Sequence, residues 1–412
     1  MIRTEKRVLE EINEKWGQVF LGQEREDKRM MRYLRKGAYC APLALSVLLA
    51  TANPTRGAEA RPAWQVDWER TLQEARKEGQ VTIYRTNGPY DPLFREFSQR
   101  YPEIRIVGVS GRGSQLAPRI MAERRAEKYL VDLYLGAPGT PYRVLYQAKI
   151  LEPISPLLVL PEVVDPSRWF QGKHHYADPE ERSIFVFEGT LRSEVAYNKN
   201  LVDPKEFRSF WDLLDPKWKG KMGAVDPRKT GVATSSALAF FYHHPELGPD
   251  YLRRLFGAMA LSFTADPRQL TDWLSVGKVA IAFFVASDAA AARKQGLPVE
   301  VFPPTAFKEG TYGSPRQGSV SVLERAPHPN AAKVFVNWLL SREGQFFFQK
   351  HFTVPEEEYL TSFRLDIPKE DIPASYRLVE GIKYLPIYRP ELIDSGAARK
   401  VVEEALGANK SR

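Results

Sequence analysis

At 412 residues, with 43% hydrophobic and 27% charged side chains, the chain is long enough for two ordinary domains and has the makeup of a globular protein. Its formal charge is +8, but residues 1–60 alone carry 11 of the 59 Lys/Arg against 8 of the 51 Asp/Glu. The remaining excess is spread without a Lys/Arg run, which reads as a solvated surface and not as a nucleic-acid face. The single cysteine, Cys40, lies in an apolar leader. The processed chain is therefore expected to lack disulfides, a Cys nucleophile and thiolate metal sites.

Met30-Met31 precedes Arg32, Arg35 and Lys36, then an apolar stretch from Ala38 to Ala52, then Ala58-Glu59-Ala60. A basic segment, a short apolar segment and small residues at the cut make a secretory signal peptide over 30–60, cleaved after Ala60, which predicts a periplasmic protein. The apolar stretch is too short for a good transmembrane helix. Residues 1–29 are charge-dense and read as an over-extended gene start.

The mature chain opens with an amphipathic helix over Val66–Lys77, with Trp68, Leu72 and Ala75 at helical spacing and Gly79 as the stop. Val81–Tyr84 is a short apolar strand. Asp91-Pro92 is expected to cap a helix with Phe94, Phe97 and Tyr101 on one face. Ile104–Val109 is the next strand; Gly111-Arg112-Gly113-Ser114 leads into a helix through Ala126, and Leu130–Leu135 is a third strand. This alternation predicts a parallel sheet with crossover helices, and such sheets take ligands at the carboxyl ends of their strands. Here those ends are Arg85-Thr86-Asn87, Ser110–Ser114 and Gly136-Ala137-Pro138.

A second α/β region follows. Val195-Ala196-Tyr197 and Met222–Val225 read as strands, the latter leading through Asp226–Gly231 into a helix to Tyr242. Asp266-Pro267-Arg268-Gln269 has the spacing of a capping box for a helix to Ser275. Val279–Phe284 is a buried strand, and Ser287-Asp288 is expected to cap an Ala-rich helix closed at Gly296. After Val299–Phe302, strand Ser319–Leu323 and helix Pro329–Leu340, with Val334, Phe335, Trp338 and Leu339 inward, return to the first region. The tail from Gln345 to Leu406 is expected to be mostly helical.

No catalytic set assembles: no G-x-S-x-G, H-E-x-x-H, Walker loop or G-x-G-x-x-G is present. No enzyme activity, cofactor or metal is expected. What recurs is a Gly-, Ser- or Thr-containing turn that opens a helix, where unpaired N–H groups favour anions. Basic residues stand nearby. The expected ligand contacts are Arg85, Thr86, Asn87, Ser110, Arg112, Ser114, Gly136, Ala137, Thr230, Gly231, Thr234, Ser287, Asp288, Tyr312 and Arg316. If they share one cleft, a small anionic solute is the natural guest.

Several short segments stand in order along residues 64–406: Ala75-Arg76-Lys77-Glu78-Gly79 before the first strand, Gly113-Ser114-Gln115-Leu116-Ala117, Val131-Asp132-Leu133-Tyr134 and Glu194-Val195-Ala196-Tyr197-Asn198. Pro216-Lys217-Trp218-Lys219-Gly220-Lys221, Asn330-Ala331-Ala332-Lys333 and Glu343-Gly344-Gln345 continue the set. In these the chain resembles the ferric-ion-type extracellular solute-binding proteins, a branch of the type II periplasmic receptors of ABC transporters. The resemblance implies an α/β fold of two lobes joined by hinge strands, here near Arg192–Asn198 and Val299–Phe302, with a ligand cleft between. Lobe 1 is expected over 61–192 and 303–344, lobe 2 over 193–302 and 345–412. It also implies a monomer that delivers a small molecule to an inner-membrane permease. Family members that chelate iron use a His, a Glu and adjacent tyrosines at positions held here by Gly88, Ala137 and Ala286-Ser287, so bare iron is not expected. The alternatives are iron held as a ferric–anion complex or through Tyr90, Tyr197 or Tyr312, a periplasmic enzyme on the same fold, and a sensory subunit.

Overall fold

The computed structural model describes residues 61–228, 232–355, 359–379 and 381–408. The leader, Cys40 and the cleavage site, together with Thr230 and Gly231, lie outside the described residues. Among the described residues no helix is long and apolar enough to cross a membrane.

The first lobe alternates as expected: α1 (Ala63–Glu78), β1 (Gln80–Thr86), α2 (Tyr90–Arg100), β2 (Arg105–Gly111), α3 (Gly113–Arg125) and β3 (Leu133–Gly136). Gly79 ends α1 at φ 71°, a left-handed cap that glycine adopts without a Cβ clash. β1 pairs in parallel with β2 and β3, Ile83 lying opposite Gly108 and Leu133. Alternate side chains of β1 serve two layers. Val81 and Ile83 pack on Phe94 and Phe97 of α2, while Tyr84 packs on Leu116 and Ile120 of α3. Asp91 does not cap α2; Pro89 holds that position, and Asp91 turns to Arg85. The short strands β4 (Leu151–Glu152), β5 (His175–Tyr176) and β6 (Phe185–Val186) extend the sheet.

The second lobe contains β7 (Val195–Asn198), β8 (Met222–Val225), α4 (Val232–His243), α5 (Gly248–Ala258), β9 (Ser262–Thr264), α6 (Pro267–Ser275), β10 (Ile281–Phe283), α7 (Ala286–Lys294) and β11 (Val299–Val301). Its strand order is β11-β7-β10-β8-β9. Asp266 caps α6 by accepting from the Arg268 N–H at 2.9 Å, but Gln269 leaves the expected box to meet the Thr264 hydroxyl. The cap position of α7 is Val285, so Ser287 and Asp288 fall in the first turn and do not cap.

The remaining elements are β12 (Thr311–Tyr312), β13 (Ser319–Leu323), α8 (Pro329–Leu340), α9 (Arg342–Phe352), β14 (Tyr384–Leu385) and α10 (Gly396–Ala408). β13 and α8 have the bounds expected from the sequence. Val334, Phe335, Trp338 and Leu339 of α8 are all buried in the first core, each stabilising by about 1.5–3 kcal/mol.

Both sheets are mixed, where a parallel sheet was expected. β13 runs antiparallel to β3, and β7 antiparallel to β10 and β11. Each of these strands is the first laid down after the chain crosses from the other lobe, so it enters from the cleft side and runs against its neighbours. The crossings themselves occupy residues 187–194 and 302–318. β7 is committed along its length to the second sheet, so of the stretch Arg192–Asn198 only Arg192–Glu194 lies between the two sheets.

A third connection was not expected. Phe348 and Phe352 of α9 join the first core with Leu360 and Phe363, whereas Ala398 and Val402 of α10 join the second. The segment between α9 and α10 passes both lobes and, among its described residues, has only a 3-10 turn at Ala374–Tyr376 and the short β14, where a mostly helical tail was expected. Pro355, Pro368, Pro373, Pro386 and Pro390 punctuate it, and each removes an N–H that a helix needs.

Candidate functional site

The first two crossings are held side by side. Glu188 is fully buried; its carboxylate accepts from the Thr190 hydroxyl at 2.5 Å and from the N–H groups of Arg316 and Gln317 at 3.1 and 2.9 Å. Gln317 reaches on to the end of β1. Its side-chain oxygen accepts from the hydroxyls of Thr86 at 2.5 Å and Tyr90 at 3.0 Å, and its amide donates to the Asn87 carbonyl at 2.9 Å. Two expected contacts, Thr86 and Asn87, thus serve to join a crossing to the first lobe.

Between the lobes lies a cavity of about 520 Å³. Ala137 and Pro138 at the carboxyl end of β3 and Arg143 supply the first lobe's wall. Ser235 and Ser236 near the start of α4 supply the second's, and Ser314 comes from a crossing. The rest of the wall is the third connection, from Ile387 through Asp394 to Arg399. Gly136 sets the exit of β3: a Cβ there would stand 2.5 Å from the Thr86 side chain, so only glycine lets β1 and β3 approach this closely.

Arg143 sits on the π-helical turn Pro141–Tyr146 and donates to the Ile393 carbonyl at 3.2 Å. Arg399, on the first turn of α10, donates to the Pro227 carbonyl at 2.9 Å and to the Ser235 hydroxyl at 2.6 Å. Asp394 accepts from the Gly396 N–H at 2.9 Å and so shapes the turn that opens α10.

Ser287 lines a smaller cavity of about 280 Å³, with Arg192, Arg293, Tyr359 and Tyr376. The tyrosine rings lie 5.0 Å apart, and Arg293 pairs with Glu300 at 3.3 Å. The expected contacts are therefore split: Ala137 faces one cavity and Ser287 the other.

Other expected residues are elsewhere. Arg85 folds back on its own lobe, donating to Asp91 at 2.5 Å and the Gly88 carbonyl at 3.3 Å, with its guanidinium over the rings of Tyr90 and Phe94. Ser110, Arg112 and Ser114 are exposed, and neither cavity includes them. Thr234 is buried and Asp288 half-buried. Tyr312 is 1% exposed, packs on Phe240 in the second core and donates to Glu194, so it walls no cleft. Arg316 is exposed and meets Glu188 through its backbone. Tyr90 is likewise buried in the first core, and Tyr197 packs against Phe302 in the second. Burial pushes all three phenols above their ordinary range, which disfavours the phenolate that a ferric ion needs. Among the described residues no group of three or more His, Cys, Asp or Glu is placed to hold a metal.

Ser235 and Ser236 end the turn Thr230–Ser236 that the sequence offers as one of its helix-opening turns; Arg143, Ser314 and the stretch Ile387–Arg399 line the cavity without having been expected to. A local signal for the last of these was Asp394-Ser395-Gly396, a turn that opens a helix.

Residues 188–353 match the family of bacterial extracellular solute-binding proteins. An uncharacterized protein of Haemophilus influenzae is 26% identical over 276 residues, 66% of this chain and 75% of its own length. The Trichodesmium protein FutA (IdiA), solved with iron and citrate, superposes over 81% of this chain and 99% of its own at a TM-score of 0.55 and 20% identity. The periplasmic binding protein AfuA of Actinobacillus pleuropneumoniae, solved with fructose-6-phosphate, does so over 81% and 99% at 0.52 and 21%. The chain thus has the fold of the type II periplasmic binding proteins, and over residues 188–353 it matches the model of the bacterial extracellular solute-binding proteins.

Proposed function

We propose that this chain is the solute receptor of an ABC importer: it captures a small anionic organic solute in the periplasm, without chemical change, and presents it to an inner-membrane permease. The observation that carries the reading is the cavity whose wall is built from both lobes and their connections. A ligand that touches both lobes stabilises the closed arrangement over the open one, and that difference is what a permease can sense. The kinship in fold with AfuA and FutA supports the same role.

A second reading, uptake of a ferric–anion complex, draws on the FutA structure with iron and citrate. Buried tyrosines cannot supply its iron ligands here, so the anion and water would have to complete the shell.

Small-angle scattering of the purified protein, with and without a pool of bacterial small-molecule extract, tests the proposal. The radius of gyration is expected to fall on addition of the pool, and to stay constant in Ser236→Trp, which fills the cavity. Equal behaviour of parent and variant overturns it. A visible charge-transfer band in the liganded protein would favour the ferric reading.

A further inference from the structure

We infer that the second lobe docks on an anionic phospholipid bilayer through the end of its sheet opposite the interlobe cavity. Five segments meet at that end: residues 198–201 after β7, 219–221 before β8, 259–261 before β9, 275–280 before β10 and 295–298 before β11. The sheet register gathers them, with Ile281 opposite both Tyr197 and Met222, Val299 opposite Asn198, and Gly223 opposite Ser262. Backbone bonds tie them directly. The Ala280 N–H donates to the Lys221 carbonyl at 2.7 Å, the Lys199 N–H to the Pro298 carbonyl at 3.0 Å and the Gly220 N–H to the Met259 carbonyl at 2.9 Å. The cavity opens beyond the other end, beside Ser235 and Ser236 of α4, the helix that follows β8.

These segments carry Lys199, Lys219, Lys221 and Lys278, all exposed, and no Asp, Glu or Arg. The flanking acids are Asp203, which accepts from the Lys205 N–H at 3.0 Å, and Asp272 of α6. Among the lysines stand aliphatic side chains. Val276, on the turn after α6, is 80% exposed, more than any other large apolar residue described; Leu201 is 51% and Leu297 37% exposed. A Cβ on Gly277 would meet Leu201 at 3.3 Å, so Leu201 lies against the Val276 turn. Trp273 is half-buried next to it, with the Lys278 ammonium 3.6 Å from its ring centre.

Single exposed aliphatics are ordinary; a group of them among like charges marks a contact surface. The residue types choose the occupant. Protein interfaces are depleted in lysine and centre on aromatic and arginine anchors seated in pockets. A fluid bilayer needs neither. Lysine ammoniums stay at the lipid phosphates while their stems and the neighbouring aliphatics enter the acyl boundary. Each lysine adds to the attraction of an anionic leaflet, and salt screens it. Docking by this end leaves the cavity unobstructed.

The test is sedimentation of the purified protein with vesicles of phosphatidylglycerol and phosphatidylcholine in equal parts, and with phosphatidylcholine alone. At low salt the anionic vesicles are expected to bind at least tenfold more tightly, and high salt to remove most of the difference. The combined variant Lys199→Glu, Lys221→Glu, Lys278→Glu should lose tenfold or more. The same charge change on exposed lysines of the first lobe, Lys128→Glu, Lys149→Glu, Lys350→Glu, should leave binding within about twofold of the parent. Val276→Ser should weaken binding about threefold without altering its salt dependence. Circular dichroism checks that each variant is folded, and the lipid and salt dependence of the parent decides the matter without them. Equal binding to the two kinds of vesicle, or an equal loss in the two lysine variants, overturns the inference. So does capture of polyglutamate by the same lysines with no vesicle binding, which would assign the surface to an acidic protein.

Discussion

Tyr312, on the crossing that leads back to the first lobe, donates its hydroxyl hydrogen to the carboxylate of Glu194, which ends the crossing that leads away from it. Both side chains are buried, at 1% and 5% exposure. The same two crossings are laced by the backbone, the Arg192 N–H donating to the Tyr312 carbonyl at 3.3 Å and the Thr311 hydroxyl to the Arg192 carbonyl at 2.8 Å. A buried carboxyl group thus sits between the two crossings.

Burial raises the Glu194 carboxyl from its ordinary 4.5 to about 7, with the Arg192 charge and the Tyr312 hydrogen bond pulling it back only in part. The folded chain therefore holds this proton in a pH range where the unfolded chain has lost it. Its contribution to stability is full below about pH 4.5 and is lost as pH rises through 7. Denaturant unfolding of the parent should show a decline across that window beyond what Glu194→Gln shows. Parallel pH profiles for the two proteins would remove Glu194 from the account.

Gln317 links the second crossing to the end of β1 through Thr86, to the turn after it through Asn87 and to the start of α2 through Tyr90. Gln317→Ala deletes these bonds; the Tyr90 hydroxyl keeps the Gln317 carbonyl at 3.0 Å, but the half-buried Thr86 hydroxyl loses this acceptor, which costs on the order of 1 kcal/mol. Urea unfolding is expected to show that loss with an unchanged slope. Unchanged stability would mean that water replaces the amide fully.

Arg364 is fully buried and pairs with Glu162 at 2.6 Å and Asp366 at 2.7 Å, with the Leu340 carbonyl at 2.8 Å. The two carboxylates reach solvent, so removing the arginine strands no deeply buried charge. Arg364→Met should therefore cost about 2 kcal/mol, below the 3–5 kcal/mol of a fully enclosed pair. Thermal melting reads it; a stabilised variant would show that desolvation of Arg364 outweighs its bonds.

Gly136→Ala should act on the site and on the first lobe together. The added methyl meets Thr86 at 2.5 Å, and either β1 or β3 must shift. A loss of about 1–3 kcal/mol is expected by chemical denaturation, with weaker solute binding by calorimetry. A variant that matches the parent in both would show that Thr86 yields freely.

The elements of the two lobes were legible because their signals are local. β1 and α8 alternate or repeat within a dozen residues, and Pro and Gly mark their ends. The polarity of β7 and β13 was not legible, since it depends on which lobe the chain has just left. The place of the interlobe cavity was legible in part and most of its lining was not. The carboxyl end of β3 does open on the interlobe cavity, as Ala137 shows. Of the basic residues near strand ends, Arg85 finds Asp91 only six residues on and lines neither cavity. Arg399 meets Ser235 across 164 residues of chain, a contact that no periodicity encodes.

Native mass spectrometry of the purified protein, before and after denaturation, bears most directly on the proposal that the interlobe cavity is the ligand site. The parent, mixed with bacterial small-molecule extract, is expected to carry one small acid per chain that denaturation releases, and Ser236→Trp to carry none. Solute bound equally to parent and variant, or to neither, would contradict it.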